Sequence, residues 1–227
     1  GDCRVAIWLE QASVDFEARF TAFLSTKREV SEDVNAVVRT IIDDVRARGD
    51  AALVDYSARF DKVDLARVGL RVDDADIDAA MASVDPAVLD ALRFAAGRIE
   101  AHHARQMPKD DLYEDALGVG LGSRWTAIEA VGLYVPGGTA PLASSVLMNI
   151  IPAKLAGCPS IIMCTPPGRD GKVNPAILAA AKIAGADRIF KVGGAQAIAA
   201  MAYGRDHTGG LHDSRPRQGL YSRGQTA

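Results

Sequence analysis

The sequence predicts an α/β protein: a mainly helical N-terminal region followed by a Rossmann-like parallel βαβ segment that is incomplete at the C-terminus. Three observations carry this. Apolar residues in the first hundred positions recur at three-and-four spacing, the period of an amphipathic helix. From residue 130 to 204, short apolar runs alternate with longer helical stretches, as in parallel strands joined by crossovers. Glycine pairs punctuate the ends of two of those runs. Regions of 1–110, 111–204 and 205–227 follow as a helical part, a Rossmann-like α/β part and a tail.

Composition narrows the class of function. The chain has 227 residues, 48% hydrophobic and 24% charged, with a net charge of −3, which suits a globular protein with a sizeable core. A slightly acidic chain lacks the concentrated positive field that nucleic acid requires, so none is expected as a partner. No apolar run is long enough to span a bilayer, and "GDCRVAIWLEQ" lacks the order of a signal peptide. Cys3, Cys158 and Cys164 are too scattered for a disulfide framework or a thiolate metal site. A cytoplasmic protein fits. With no initiator methionine, the chain can begin inside a longer reading frame.

"SEDVNAVVRTIIDDVRAR" (31–48) places Val34, Val37, Val38, Ile41, Ile42 and Val45 on one helical face. Ser31 is its expected cap and Gly49 the expected left-handed residue after its end. "DAALVDYSARFD" (50–61) reads as a second helix closed by the turn-prone "FDKVD", and 73–83 as a third with aspartates in its first turn. Asp85-Pro86 opens a long helix to about His103, since proline suits the first helical position. His102 and His103 are adjacent, so their side chains diverge by about a third of a turn and do not converge on one ion. They read as a solvated pair beside the helix's negative pole.

"GVGLGSRWTAIEAVGLYVPGG" turns to strand-like alternation. "GVGLG" is a strand or hairpin turn rather than a dinucleotide fingerprint, because no helix follows it. Strand "AVGLYV" then leads to a helix in "PLASSVLMNIIPAKLAG". Next come strand "SIIMCTP", helix "NPAILAAAKIAGA", strand "RIFKVGG" and helix "AQAIAAMAYG". The continuous apolar run "SIIMC" suits a strand buried on both faces.

Ligands of open parallel sheets bind at the carboxyl ends of the strands. Two loops there stand out, "LYVPGGTAP" (133–141) and "KVGGAQA" (191–197). Gly137-Gly138 and Gly193-Gly194 permit close backbone approach. Tyr134 offers a ring to a nicotinamide or adenine, and Gln196 offers a donor and acceptors. The same residues also suit a purely structural role, with glycines making tight turns and Tyr134 packing in the core. "GRDGKVNP" is no phosphate-binding P-loop, since Val173 stands where a hydroxyl is needed.

"VGLYVPGGTAPLASSVLMNIIPAKLAGC", "PPGRDGKVNPAILAAAKIAGAD" and "IFKVGGAQAIAAMAYG", with "VRARGDAALVDYSARFDKVD" upstream, closely resemble the histidinol dehydrogenase family over about residues 30–204. The resemblance implies a zinc- and NAD-dependent oxidation of L-histidinol to L-histidine through an aldehyde, by an intertwined homodimer. It implies cofactor contacts at Tyr134 and Gln196. It also implies that the zinc ligands and a catalytic Glu-His pair lie downstream of the last motif matched, so that no catalytic or metal residue is expected in this chain. An inactive N-terminal fragment is the expectation. A non-catalytic NAD-binding or dimerisation module is the alternative, and another NAD-dependent dehydrogenase, such as an aldehyde dehydrogenase relative, is a weaker one. A fragment with open sheet edges should aggregate, whereas a module should be monodisperse.

After Gly204 the likeness to the family stops. The tail carries four arginines and four glycines and little to bury, so disorder is expected. Back-translated and read one nucleotide later, it can yield a proline, then a Gly-Pro-Gly turn, a tyrosine and a lysine. That order matches the family's continuation. A shift of reading frame at or near Gly204 follows as the hypothesis. On it, His207 and His212 are not zinc ligands, as a pair of imidazoles without a third ligand already suggests.

Overall fold

The computed structural model describes residues 8–137 and 142–203, without the side chains of residues 25–33. The described residues fall into two compact units, one ending at Asp43 and the other beginning at Asp44. The tail, with His207 and His212, lies outside the described residues, as do Gly138 and Cys3.

Helix α1 runs Phe16–Arg48, so it starts well before Ser31, which lies inside it rather than capping it. Residues 16–30 contain no glycine or proline and are rich in Glu, Ala, Leu, Lys and Arg, so nothing stops the helix there. Of the expected apolar face, Ile41 and Val45 are buried, while Val34 and Val37 are exposed. Within the first unit, Phe16 and Phe20 stack one turn apart, ring centres 5.5 Å from each other.

In the second unit, Arg48 binds both Asp44, at 2.6 Å, and Asp55, at 2.5 Å, tying the end of α1 to α2 (Asp50–Phe60). Gly49 joins these helices at φ 62°, ψ −132°, a positive-φ turn outside the left-handed helical region. The four-residue α3 (Leu65–Val68) is capped by Asp64 and is too short to leave a periodic trace in the sequence. Asp73 caps α4 (Asp74–Ser83), and Asp85 caps α5 (Pro86–Ala104) with proline in its first turn. His102 and His103 meet edge-on near the end of α5. His103 Nδ1 lies 2.7 Å from Gln106 Oε1.

Strands β1 (Asp111–Glu114) and β2 (Gly120–Ser123) form an exposed antiparallel hairpin. The Asp115 carboxylate accepts the amides of Leu117 and Val119, and Gly118 turns the chain at φ 80°.

The parallel sheet has the order β3-β4-β5, from β3 (Ala130–Tyr134), β4 (Ser160–Thr165) and β5 (Arg188–Lys191). Helices α6 (Ala143–Leu155), α7 (Pro175–Ala184) and α8 (Gly194–Tyr203) follow the three strands in turn. The alternation expected from sequence is present strand by strand. Segment 70–72 adds an antiparallel bridge beyond β5, where the Lys191 amide donates to Leu70 O and the Val72 amide to Ile189 O.

The pleat of the sheet sorts the core. Ile161, Met163 and Ile189 point into the cluster made with α4, α5, α6 and α7. Their neighbours Ile162, Cys164 and Phe190 point to the other face and are buried too, where α8 packs on β3 and α2 on α8. A sheet covered on both faces has its open space at the ends of its strands.

Candidate functional site

The loops that leave the three strands converge on one proline. A Cβ placed on Gly137, after β3, would lie 2.5 Å from Pro166 Cγ; one on Gly193, after β5, would lie 2.6 Å from Pro166 Cβ. Pro166 itself follows β4. Only residues without side chains let the first and third loops close on the ring of the second.

Tyr134 and Gln196, the two residues singled out from sequence, meet at the next residue along. The Gly194 amide donates to the Tyr134 hydroxyl oxygen at 3.3 Å. Gln196 is 1% exposed, and its Oε1 would lie 2.5 Å from a Cβ on Gly194, so its amide is folded beneath that glycine. Gly194 has φ 66°, which a side chain rarely adopts. Tyr134, half-buried at the end of β3, and Gln196, in the first turn of α8, thus flank one glycine at the carboxyl edge of the sheet.

A cavity of about 720 Å³ opens beside this cluster, reached by Pro136, Gly137, Thr165, Pro166, Asn174 and Asp61 among others. Its walls come from the ends of β3 and β4 and the start of α7, where Asn174 caps the helix by accepting the Ala176 amide at 2.9 Å. Asp61 was not singled out by sequence. It ends α2, its amide donating to Ser57 O at 2.9 Å, and the turn of chain after α2 brings its carboxyl to the strand ends. Asp61 Oδ2 and Ser57 Oγ are both buried oxygens, close to each other at the end of α2. Burial pushes the Asp61 carboxyl above its usual range, and the nearby Ser57 hydroxyl works against the shift.

A smaller cavity of about 430 Å³ lies between α4 and α7. Lys191, buried beside it, donates from Nζ to Val68 O at 2.7 Å, a structural tie for the short helix α3. Cys164 is fully buried on β4, its thiol pushed up to about 12 by burial, so it is a core residue rather than a nucleophile. Among the described residues, no group of three or more His, Cys, Asp or Glu side chains is placed to hold a metal ion. No helix among them is long and apolar enough to cross a membrane.

Comparison with known proteins agrees with the motifs. The family model of histidinol dehydrogenase matches residues 24–210. Histidinol dehydrogenase of Agrobacterium fabrum is 67% identical over 202 residues, covering 89% of this chain and 46% of that protein. That of Rhizobium meliloti is 65% identical over 202 residues with the same coverage. The crystal structure of histidinol dehydrogenase from Elizabethkingia anophelis superposes with a TM-score of 0.72 at 42% identity, covering 76% of this chain and 40% of that one. The chain spans about half the length of the curated relatives it matches.

Proposed function

The chain belongs to the histidinol dehydrogenase family, and from that premise we propose that it is an N-terminal part of such an enzyme and carries its NAD-binding site. The observation that bears most weight is the meeting of Tyr134, Gly194 and Gln196 at the carboxyl edge of a parallel sheet. In sheets of this kind, dinucleotides lie across the strand ends. The site suits that ligand: glycines allow close backbone approach, a cavity of about 720 Å³ adjoins them, and the amides at the start of α8 favour an anion.

Bound NAD would accept the hydride as histidinol is oxidised to the aldehyde and then to histidine. The residues of this chain bind and orient the cofactor. Tyr134 holds the Gly194 amide at the strand ends, and Gln196 stiffens the Gly193-Gly194 turn from below. As the family resemblance implies, zinc and the Glu-His pair are assigned to parts of the family's sequence beyond the motifs matched here. Homodimer formation, a cytoplasmic location and histidinol as substrate belong to the whole enzyme and are proposed with it.

Calorimetric titration with NAD and an assay of histidinol oxidation test this directly. The expected result is saturable NAD binding without turnover. Absence of binding removes the proposed site, and turnover by the purified chain removes the assignment of catalysis to other residues. For the tail, the coding DNA decides: the proposed frame shift requires a family-like continuation in the shifted frame past the Gly204 codon.

A further inference from the structure

The second cavity, of about 430 Å³ between α4 and α7, has no part in the reading above, yet four charged side chains line it. They are Asp76, Asp170, Lys172 and Lys191, two of each sign, and among the described residues no two of them form an ion pair. Lys191 is only 6% exposed, whereas the other three are open to solvent at the rim. In the pleat of β5, Lys191 follows Ile189 on the face that carries α4 and α7. Its ammonium therefore stands where the apolar core gives way to the cavity. An ammonium has three donors. One reaches Val68 O at 2.7 Å, and no other described residue accepts from the remaining two. A buried charge without a counter-ion is costly, and an anionic group entering the cavity supplies one. At the rim, one Asp170 oxygen accepts the Lys172 amide at 3.1 Å, which leaves the other oxygen and the Asp76 carboxylate to receive a cation. Val68, Val72, Ala80, Val173 and Leu178 make the wall apolar between these charges.

We propose that this cavity binds a small zwitterion, an α-amino acid with an aliphatic side chain. Its carboxylate meets Lys191, its ammonium meets Asp76 and Asp170, and its side chain lies on the apolar wall. A ligand with one charge of each sign matches a lining with two of each, whereas a singly charged ligand leaves one side of the cavity unanswered. The cavity also falls within the size range of small-molecule sites. The proposal is independent of the NAD-binding reading.

The test titrates the isotopically labelled full chain, without NAD, with three probes of one skeleton. These are L-leucine, 4-methylpentanoate, which lacks the amine, and 3-methylbutylamine, which lacks the carboxylate. Asp170 and Lys172 also line the strand-end cavity, so the readout is the amides of Ala79, Gly171 and Leu178, which line this one alone. Leucine should shift them saturably and bind at least about tenfold more tightly than either analogue. In Asp76→Asn with Asp170→Asn, its advantage over 4-methylpentanoate should fall to within about threefold. In Lys191→Met, which keeps the aliphatic stem, its advantage over 3-methylbutylamine should fall to the same extent. Absence of saturable leucine binding at these amides overturns the proposal, as does equal affinity for leucine and either analogue. An unchanged preference in a folded variant overturns it too. If Lys191→Met loses its fold by circular dichroism along with its tie to Val68, the aspartate variant, altered only at the exposed rim, decides.

Discussion

The amide of Gly194 donates to the hydroxyl oxygen of Tyr134 at 3.3 Å, so the last residue of β3 closes onto the first residue of α8. Two loops separated by sixty residues are thereby held as one edge. Tyr134→Phe removes the acceptor and keeps the ring. At this half-buried position, with a long hydrogen bond, we expect a loss of about 0.5 kcal/mol in urea unfolding. The loss of NAD affinity should be larger than this small destabilisation explains, because the glycine turn loses its tether.

Gly193→Ala is expected to be far more damaging. Its Cβ meets the ring of Pro166 at 2.6 Å, and a proline ring packed between two loops cannot swing aside. A cost of about 2 kcal/mol is expected, as for overpacking in a closed site. Gly132→Ala offers the control: its Cβ meets Met201 Sδ at 2.6 Å, but that side chain is long and can adopt other rotamers. The alanine at 132 should cost less than the one at 193 in the same unfolding measurement.

The raised pKa of Asp61 gives stability a definite pH dependence. A carboxyl whose pKa is higher folded than unfolded binds its proton more tightly in the native state. Its contribution is therefore fully present below the unfolded pKa and is lost as pH rises through the folded value, with no further change above it. Asp61→Asn should be more stable than wild type at neutral pH by about 0.5 kcal/mol, the usual effect being reduced by the solvent that reaches a half-exposed group. The difference should shrink as the pH is lowered through the carboxylate range. Unfolding curves from pH 7 to 4 measure it, and a gap that widens on acidification contradicts the assignment.

The β1-β2 hairpin and the loop beyond it leave Leu112, Leu117, Trp125 and Ile128 between 59% and 88% exposed. An apolar set this open promotes association. Light scattering coupled to gel filtration should show self-association that increases with concentration, and Leu112→Lys with Leu117→Lys should reduce it. A monodisperse monomer at all concentrations contradicts this expectation.

Much of the architecture was legible because its signals are local. The strand and helix alternation after residue 130, the Asp85-Pro86 helix start and the glycine loops all depend on neighbours in sequence. The start of α1 was not legible. Ser31 is a plausible cap, yet its preference is worth less than continuing a helix through good helix formers. Tyr134 and Gln196 could be singled out as candidates because each stands near a glycine pair at a strand end. Asp61 could not, since "FDKVD" looks like any turn. Its environment arises from chain about seventy-five and one hundred and five residues away, at Pro136 and Pro166, and no local pattern encodes that meeting.

The most direct test of the central claim is an NMR titration of the isotopically labelled chain with NAD. The account predicts saturable shifts concentrated at the amides of Gly137, Gly193, Gly194 and Gln196, spreading to Asp61 and Asn174. Shifts confined to the face of α4 and α5, or none at all at saturating NAD, would contradict it.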